Sequence, residues 1–304
     1  MKLIRTLATS QAKTFLSTPL KFTGVLLSSM ATSSDQSDPG VLLQTAISAG
    51  RAAGKLLLEY AQSGFHIHHK NPINLVTDAD HAAEQLIIGH IRDRFPEHRF
   101  LAEEQGRIEQ SPSPYLWIID PLDGTTNFAH GYPAYCVSIG LEYRGHCILG
   151  VVFDPSRNEL FTAIEGSGAQ LNNHPIHVSS TTTLGDSLLV TGFAYDIRET
   201  TRNNLDHFAK FALKCQGLRR TGSAALDLCY VAAGRFDGFW EVRLNPWDMA
   251  AGSVIVREAQ GRLSDFSGTD LSIYGQELVA SNGHIHDGML AVLHEEPART
   301  ALPR

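Results

Sequence analysis

Asp120 and Asp123 stand three residues apart at the end of an apolar run, in Trp117-Ile118-Ile119-Asp120-Pro121-Leu122-Asp123-Gly124-Thr125-Thr126-Asn127-Phe128. With the Leu122 carbonyl, the two carboxylates form a set of oxygen donors that suits a hard divalent cation such as Mg2+. Gly124, Thr125 and Thr126 follow with backbone N–H groups and hydroxyls where a helix can begin, which is a ready cradle for a phosphate. Cation and phosphate together point to phosphate-ester hydrolysis. Asp-Pro followed by Asp-Gly is also ordinary turn vocabulary, and an isolated Asp-x-x-Asp-Gly is more often a surface turn than a metal site. The apolar strand before this string and the hydroxyls after it set it apart.

Two further segments put acids in matching contexts. In Phe100-Leu101-Ala102-Glu103-Glu104-Gln105-Gly106 a short apolar strand ends in carboxylates, and Glu103 or Glu104 could complete a cation site or orient a water. In Asn245-Pro246-Trp247-Asp248-Met249-Ala250-Ala251-Gly252 the apolar positions recur at helical spacing, so Asp248 lies in a first turn. There it complements the helix dipole, a sufficient structural reason for an acid. As a ligand it adds a third aspartate to the pair.

Together these segments resemble the inositol monophosphatase family. Asp120-Pro121-Leu122-Asp123-Gly124-Thr125-Thr126-Asn127-Phe128 matches its first signature and Trp247-Asp248-Met249-Ala250-Ala251-Gly252 its second. Asn74-Leu75-Val76-Thr77-Asp78-Ala79-Asp80, the Glu103-Glu104 pair and Arg219-Arg220-Thr221-Gly222-Ser223-Ala224-Ala225-Leu226-Asp227 match further segments. The similarity runs from about Val41 to about residue 290.

The resemblance implies an α+β / α/β layered sandwich of the sugar-phosphatase kind, with the site between its two parts. It implies that Glu104, Asp120 and the Leu122 carbonyl hold one Mg2+, that Asp120, Asp123 and Asp248 hold a second, and that Glu104 helps hold a third. Thr125, hydrogen-bonded to Asp80, and Glu104 then orient or deprotonate the attacking water. Gly124 and Thr125 receive the phosphate. Glu241, seven residues before Asp248, matches the position that binds inositol hydroxyls. Gly222, Ser223 and Ala224 match backbone that touches the sugar, and Arg219 a substrate-contacting arginine. Glu241 has a plainer alternative, an ion pair with Arg243 or Arg219. The implied reaction is hydrolysis of myo-inositol 1-phosphate, with another sugar phosphate such as fructose 1,6-bisphosphate as the alternative substrate. Sensitivity to Li+ and a homodimer are implied as well. Some bacterial members bind the transcription machinery, which keeps such a partner open.

The elements that must position these residues follow from periodicity. Leu42, Leu43, Ala46, Ala53, Leu56, Leu57 and Tyr60 mark one amphipathic helix, and His81 to Phe95 a second that begins at Asp80. Cys136 to Tyr143, Cys147 to Phe153 and Glu159 to Ile164 read as a β-meander. The second half alternates strands (187–190, 217–220, 236–242) with helices (205–213, 223–233, 248–259). An N-terminal part over residues 38–180 and a C-terminal part over 181–296 are expected, with a tail at 297–304. Pro121 has no N–H for a ladder, so the chain is expected to turn there.

Composition sets the limits. Hydrophobic content of 43% and charged content of 19% are those of a globular protein. A net charge of −7 gives no support for direct nucleic-acid binding. The four cysteines lack Cys-x-x-Cys spacing and read as free thiols of a reducing compartment, the cytoplasm. His66, His68 and His69 alternate in a polar stretch and read as an exposed strand or loop. Residues 1–34 contain no acid and are rich in Ser and Thr, so residues 1–37 are expected to be a disordered extension or a plastid or mitochondrial transit peptide, unless Met30 is the true start. Their apolar stretches are too short for a membrane span.

Overall fold

The structure is a computed structural model that describes residues 38–69, 75–108 and 112–296. The expectations for residues 1–37 and 297–304 lie outside the described residues. The chain opens with α1 (Pro39–Ser63), capped by Asp38, which accepts from the Gly40 N–H at 2.8 Å. Its stripe of Leu42, Ala46, Ala49, Ala53 and Leu57 is buried. An antiparallel pair, β1 (Ile67–His69) and β2 (Leu75–Thr77), leads into α2 (Asp78–Arg94). The Asp78 carboxylate holds both His66 (2.8 Å) and His68 (2.9 Å) on the exposed side of this pair.

The first large sheet comprises β3 (Arg99–Ala102), β4 (Gly106–Ile108), β5 (Tyr115–Asp123), β6 (Cys136–Tyr143), β7 (His146–Asp154), β8 (Glu159–Ile164), β9 (Ala169–Leu171) and β10 (His174–Ile176). A short helix, α3 (Thr125–Ala129), follows β5. The strand order is β10-β9-β8-β7-β6-β5-β3-β4, with only β3 and β5 parallel. The second sheet takes β11 (Leu188–Thr191), β12 (Gly217–Arg219), β13 (Gly238–Val242), β14 (Arg262–Ser264) and β15 (Glu277–Ser281) in the order β12-β11-β13-β15-β14. Its helices are α4 (Leu205–Ala212), α5 (Ala224–Ala232), α6 (Pro246–Glu258) and α7 (His286–Leu293).

Alternation along the strands builds the layers. In β5, Trp117 and Ile119 join the core formed with α1 and α2, whereas Leu116 and Ile118 join that of α5 and α6. In the second sheet, Val190, Phe239, Leu278 and Ala280 face α5 and α6, while Leu189, Trp240, Val242 and Val279 pack with Phe211 of α4 and Met289 of α7. The result is a sandwich of alternating helical and sheet layers, as the resemblance implied.

Pro121 departs from its expectation. The ladder pairs Asp120 with Ser138 and Asp123 with Cys136, leaving one extra residue on β5. The sheet absorbs the missing N–H as a bulge, so the chain continues as strand to Asp123. Opposite residues Gly140 of β6 and Gly150 of β7 let α6 rest directly on the sheet. A β-carbon at Gly150 would lie 2.2 Å from the Ala251 carbonyl oxygen, and one at Gly140 would lie 2.7 Å from the Ala250 β-carbon. All four cysteines are free thiols. Among the described residues no helix is long and apolar enough to cross a membrane.

Candidate active site

Two helix starts and one strand end deliver the acids. Thr77 caps α2 by accepting from the Ala79 N–H at 3.1 Å, and Asp80 closes the capping box by accepting from the Thr77 N–H at 2.7 Å. The other Asp80 oxygen takes the Thr125 hydroxyl at 3.0 Å. Asp248 holds the equivalent place on α6, accepting from the Asn245 N–H at 2.7 Å. The β5 bulge supplies Asp120 and Asp123. Ser223 Oγ (2.6 Å) and the Ala225 N–H (2.7 Å) donate to one Asp123 oxygen and fix its direction. Gly124, at φ 95°, caps α3 in a conformation that suits glycine.

Asp120, Asp123 and Asp248 each offer a carboxylate oxygen, and these oxygens lie within 4.8 Å of one another. Their electrostatics are unfavourable without a counter-charge. Burial, then Glu103, Asp123 and Asp248, push the Asp120 carboxyl well above the usual range. Burial and then Asp123 do the same to Asp248. At Asp123 burial prevails over the hydrogen bonds from Ser223 and Ala225. Carboxylates gathered in this way, with no ion pair to a basic side chain among the described residues, are a donor set for a hard divalent cation.

The same cleft is lined by Leu122, Gly124, Thr125, Gly222, Ser223 and Ala224, and by Glu241. The ion pair considered for Glu241 is absent among the described residues, because Arg243 binds Asp196 instead. Burial, then Asp227 and Asp248, raise the Glu241 pKa, while Arg220 opposes them.

At two positions the neighbour of the expected residue lines the cleft. Glu103 lines the cleft, and Glu104 is not among the lining residues. Glu84, buried in α2, accepts from the backbone N–H groups of Glu104 (2.8 Å) and Gln105 (3.0 Å), which sets the turn and directs Glu103 toward the aspartates. Arg219 closes β12 exposed, its guanidinium on the Leu218 carbonyl at 2.9 Å, and Arg220 faces the cleft. Glu103 and Glu104 lie in the turn that follows β3, and Arg220 is the first residue past β12, so the way the chain leaves each strand decides which neighbour meets the cleft. Glu84 has a sequence signal, an acid on the inward stripe of α2 between Ala83 and Ile87. Asp227 and the Gly192–Tyr195 segment have none of comparable strength.

A layered fold with an acidic, hydroxyl-flanked cleft defines a metal-dependent phosphatase. Residues 38–298 match the inositol monophosphatase family. The chain is 48% identical over 262 residues to an inositol-1-monophosphatase of Synechocystis, covering 86% of this chain and 91% of that protein. It is 42% identical over 257 residues to the Nus factor SuhB of Escherichia coli, covering 84% and 96%. The inositol monophosphatase structure from Anabaena (Nostoc) superposes with a TM-score of 0.78 at 45% identity, covering 85% of this chain and 98% of that one. The chain belongs to the inositol monophosphatase family.

Proposed function

We propose that the chain is a Mg2+-dependent phosphomonoesterase that hydrolyses myo-inositol 1-phosphate to inositol and phosphate. The observation that carries this reading is the convergence of Asp120, Asp123 and Asp248 beside the Thr125–Asp80 pair. Asp120, Leu122 through its carbonyl, Asp123, Asp248 and Glu103 are the groups that would hold the cations. When bound, Mg2+ supplies positive charge to phosphoryl oxygens and acidifies water.

The chain's own residues divide the remaining work. The Thr125 hydroxyl lies 3.0 Å from both Asp80 and the Leu122 carbonyl and gives its one proton to either, which leaves its lone pairs to accept a hydrogen bond from the attacking water. Asp80 already accepts from Thr77 and Thr125, so it anchors that hydroxyl. Burial raises its pKa, which equips it to take up a proton. The Gly124 and Thr125 N–H groups at the start of α3 receive the phosphate. Glu241 accepts hydrogen bonds from ring hydroxyls, with Gly222, Ser223 and Ala224 beside it.

A panel of phosphate esters assayed for Mg2+-dependent phosphate release tests this. Inositol 1-phosphate should be the preferred ester, and Asp120→Asn should abolish release while the protein stays folded. Substantial turnover by that variant at saturating Mg2+ would refute the cation assignment. The identity with the Nus factor supports a second reading, a transcription-machinery partner, which a pull-down from the source cells checks. A homodimer, also proposed, is checked by sedimentation.

A further inference from the structure

One wall of the cleft belongs to neither a helix nor a strand. Gly192, Phe193, Ala194 and Tyr195 leave the end of β11 and line the cleft together with Glu241 and Asp248. This segment is pinned at three points. The Gly192 carbonyl accepts from buried Asn204 at 2.8 Å, and Asn204 in turn accepts from the Trp240 indole at 2.8 Å. A β-carbon on Gly192 would lie 2.2 Å from a Glu241 carboxylate oxygen, so the backbone sits directly against that side chain. Phe193 packs on Phe208 of α4, with ring centroids 5.7 Å apart. Asp196 pairs with the Arg243 guanidinium at 2.5 Å. Arg243 takes up φ 63° just after β13, the strand that carries Glu241. That conformation is unfavourable for a residue with a side chain and persists where its surroundings hold it.

Tyr195 stands between two of these pins. Its side chain makes no hydrogen bond, ring contact or ion pair among the described residues, and the residue is 42% exposed. Nothing in the packing of the fold therefore requires a tyrosine there. The residue nevertheless faces the cleft of the acids. It lines the cleft together with Glu103, Asp120, Asp123 and Asp248. A phenol is a neutral donor near neutral pH, and Glu241 is the acceptor on the same cleft.

We infer that Tyr195 is a substrate-contacting, specificity-determining residue. Its hydroxyl donates to an oxygen of the substrate's alcohol part, and the Asp196–Arg243 pair is the latch that holds it in place. The inference rests on the phosphatase reading and deepens it. A donor and an acceptor on one cleft select a phosphate ester of a polyol, with several hydroxyls in fixed directions, over the ester of a simple alcohol.

The test compares the preference for myo-inositol 1-phosphate over glycerol 2-phosphate in wild type, Tyr195→Phe, Arg243→Ala and Arg243→Lys, with thermal melting recorded alongside. Where the wild type turns over, the preference is the ratio of kcat/KM values. Where it does not, the phosphatase reading has failed, and the same ratio is taken from Kd values measured by calorimetry in Mg2+. Tyr195→Phe should reduce the preference by roughly 3- to 10-fold, the worth of one neutral hydrogen bond. Arg243→Ala should reduce it as well, and Arg243→Lys should restore part of it. An unchanged ratio in Tyr195→Phe, or equal losses on both esters, would overturn the inference.

Discussion

Replacing Gly150 by alanine should disable a site that Gly150 does not touch. The new β-carbon would lie 2.2 Å from the Ala251 carbonyl oxygen, 2.9 Å from its carbonyl carbon and 3.0 Å from its α-carbon. Ordinary contacts between carbon and a carbonyl oxygen begin at about 3.3 Å, so α6 must retreat by about 1 Å. These are backbone atoms of a helix packed on both sides, and no side-chain rotation relieves them. Overpacking of this kind costs about 1–3 kcal/mol. Asp248 lies on the same rigid helix, one turn toward its start, and moves with it. A displacement of about 1 Å in a reacting constellation can cost about 100-fold in rate. Gly150→Ala should therefore unfold at lower denaturant concentration and release phosphate about 100-fold more slowly even when fully folded. The control is the same chemical change in α2, where a β-carbon at Gly89 meets nothing within 4 Å. Gly89→Ala should stabilise by about 0.4–1 kcal/mol and leave turnover alone. Wild-type midpoint and turnover in Gly150→Ala would refute the idea that contact with the sheet sets the depth of Asp248.

Thr125→Ala should lower kcat by roughly 10²–10⁴ with little change in KM, since the hydroxyl positions a proton and not the phosphate; a KM effect alone would assign it to binding. Glu103→Gln should raise the Mg2+ concentration needed for half-maximal activity far more than Glu104→Gln, and equal effects would return Glu104 to the cleft. The raised carboxyls of Asp120, Asp123, Asp248 and Glu241 favour the folded state when protonated. Their contribution is full below the unfolded pKa and is lost as pH rises through the folded values. The rise in Tm produced by Mg2+ over EDTA should accordingly grow from mildly acidic to alkaline buffer, and a gain independent of pH would count against a cation held by these acids.

Much of the architecture is legible because its signals are local and long. The meander strands β6, β7 and β8 carry apolar runs bounded by clear turns, and α1, α2 and α6 carry helical stripes. Three-residue strands such as β9, β10 and β14 are too short for a period to emerge, and α7 follows so closely on β15 that its start carries no distinct mark. At the site, the aspartates are legible because each stands near the boundary of an element, Asp120 and Asp123 toward the end of β5 and Asp248 in the first turn of α6. Side-chain direction is not. In Glu103-Glu104 and in Arg219-Arg220 two chemically equal neighbours compete, and the decision is made elsewhere, by Glu84 for the acids and by the end of β12 at Arg219 for the arginines. The bulge at Pro121 is likewise a property of the β5–β6 pair and not of either strand alone.

The double duty of Asp80 and Asp248 bears on how descendants of such a chain would diverge. Each closes a helix start by accepting a backbone N–H, a contribution of about 1 kcal/mol that does not depend on any substrate. A lineage that gave up hydrolysis for another occupation would still be selected to keep both residues, because losing either frays a buried helix. Asp120 receives one backbone hydrogen bond, from Leu122 two positions on, and has no helix to maintain. Buried beside other acids, it is a burden to any protein that has no cation to place there. Drift in an inactive relative should therefore appear first at position 120, while the second signature persists as a relic of folding.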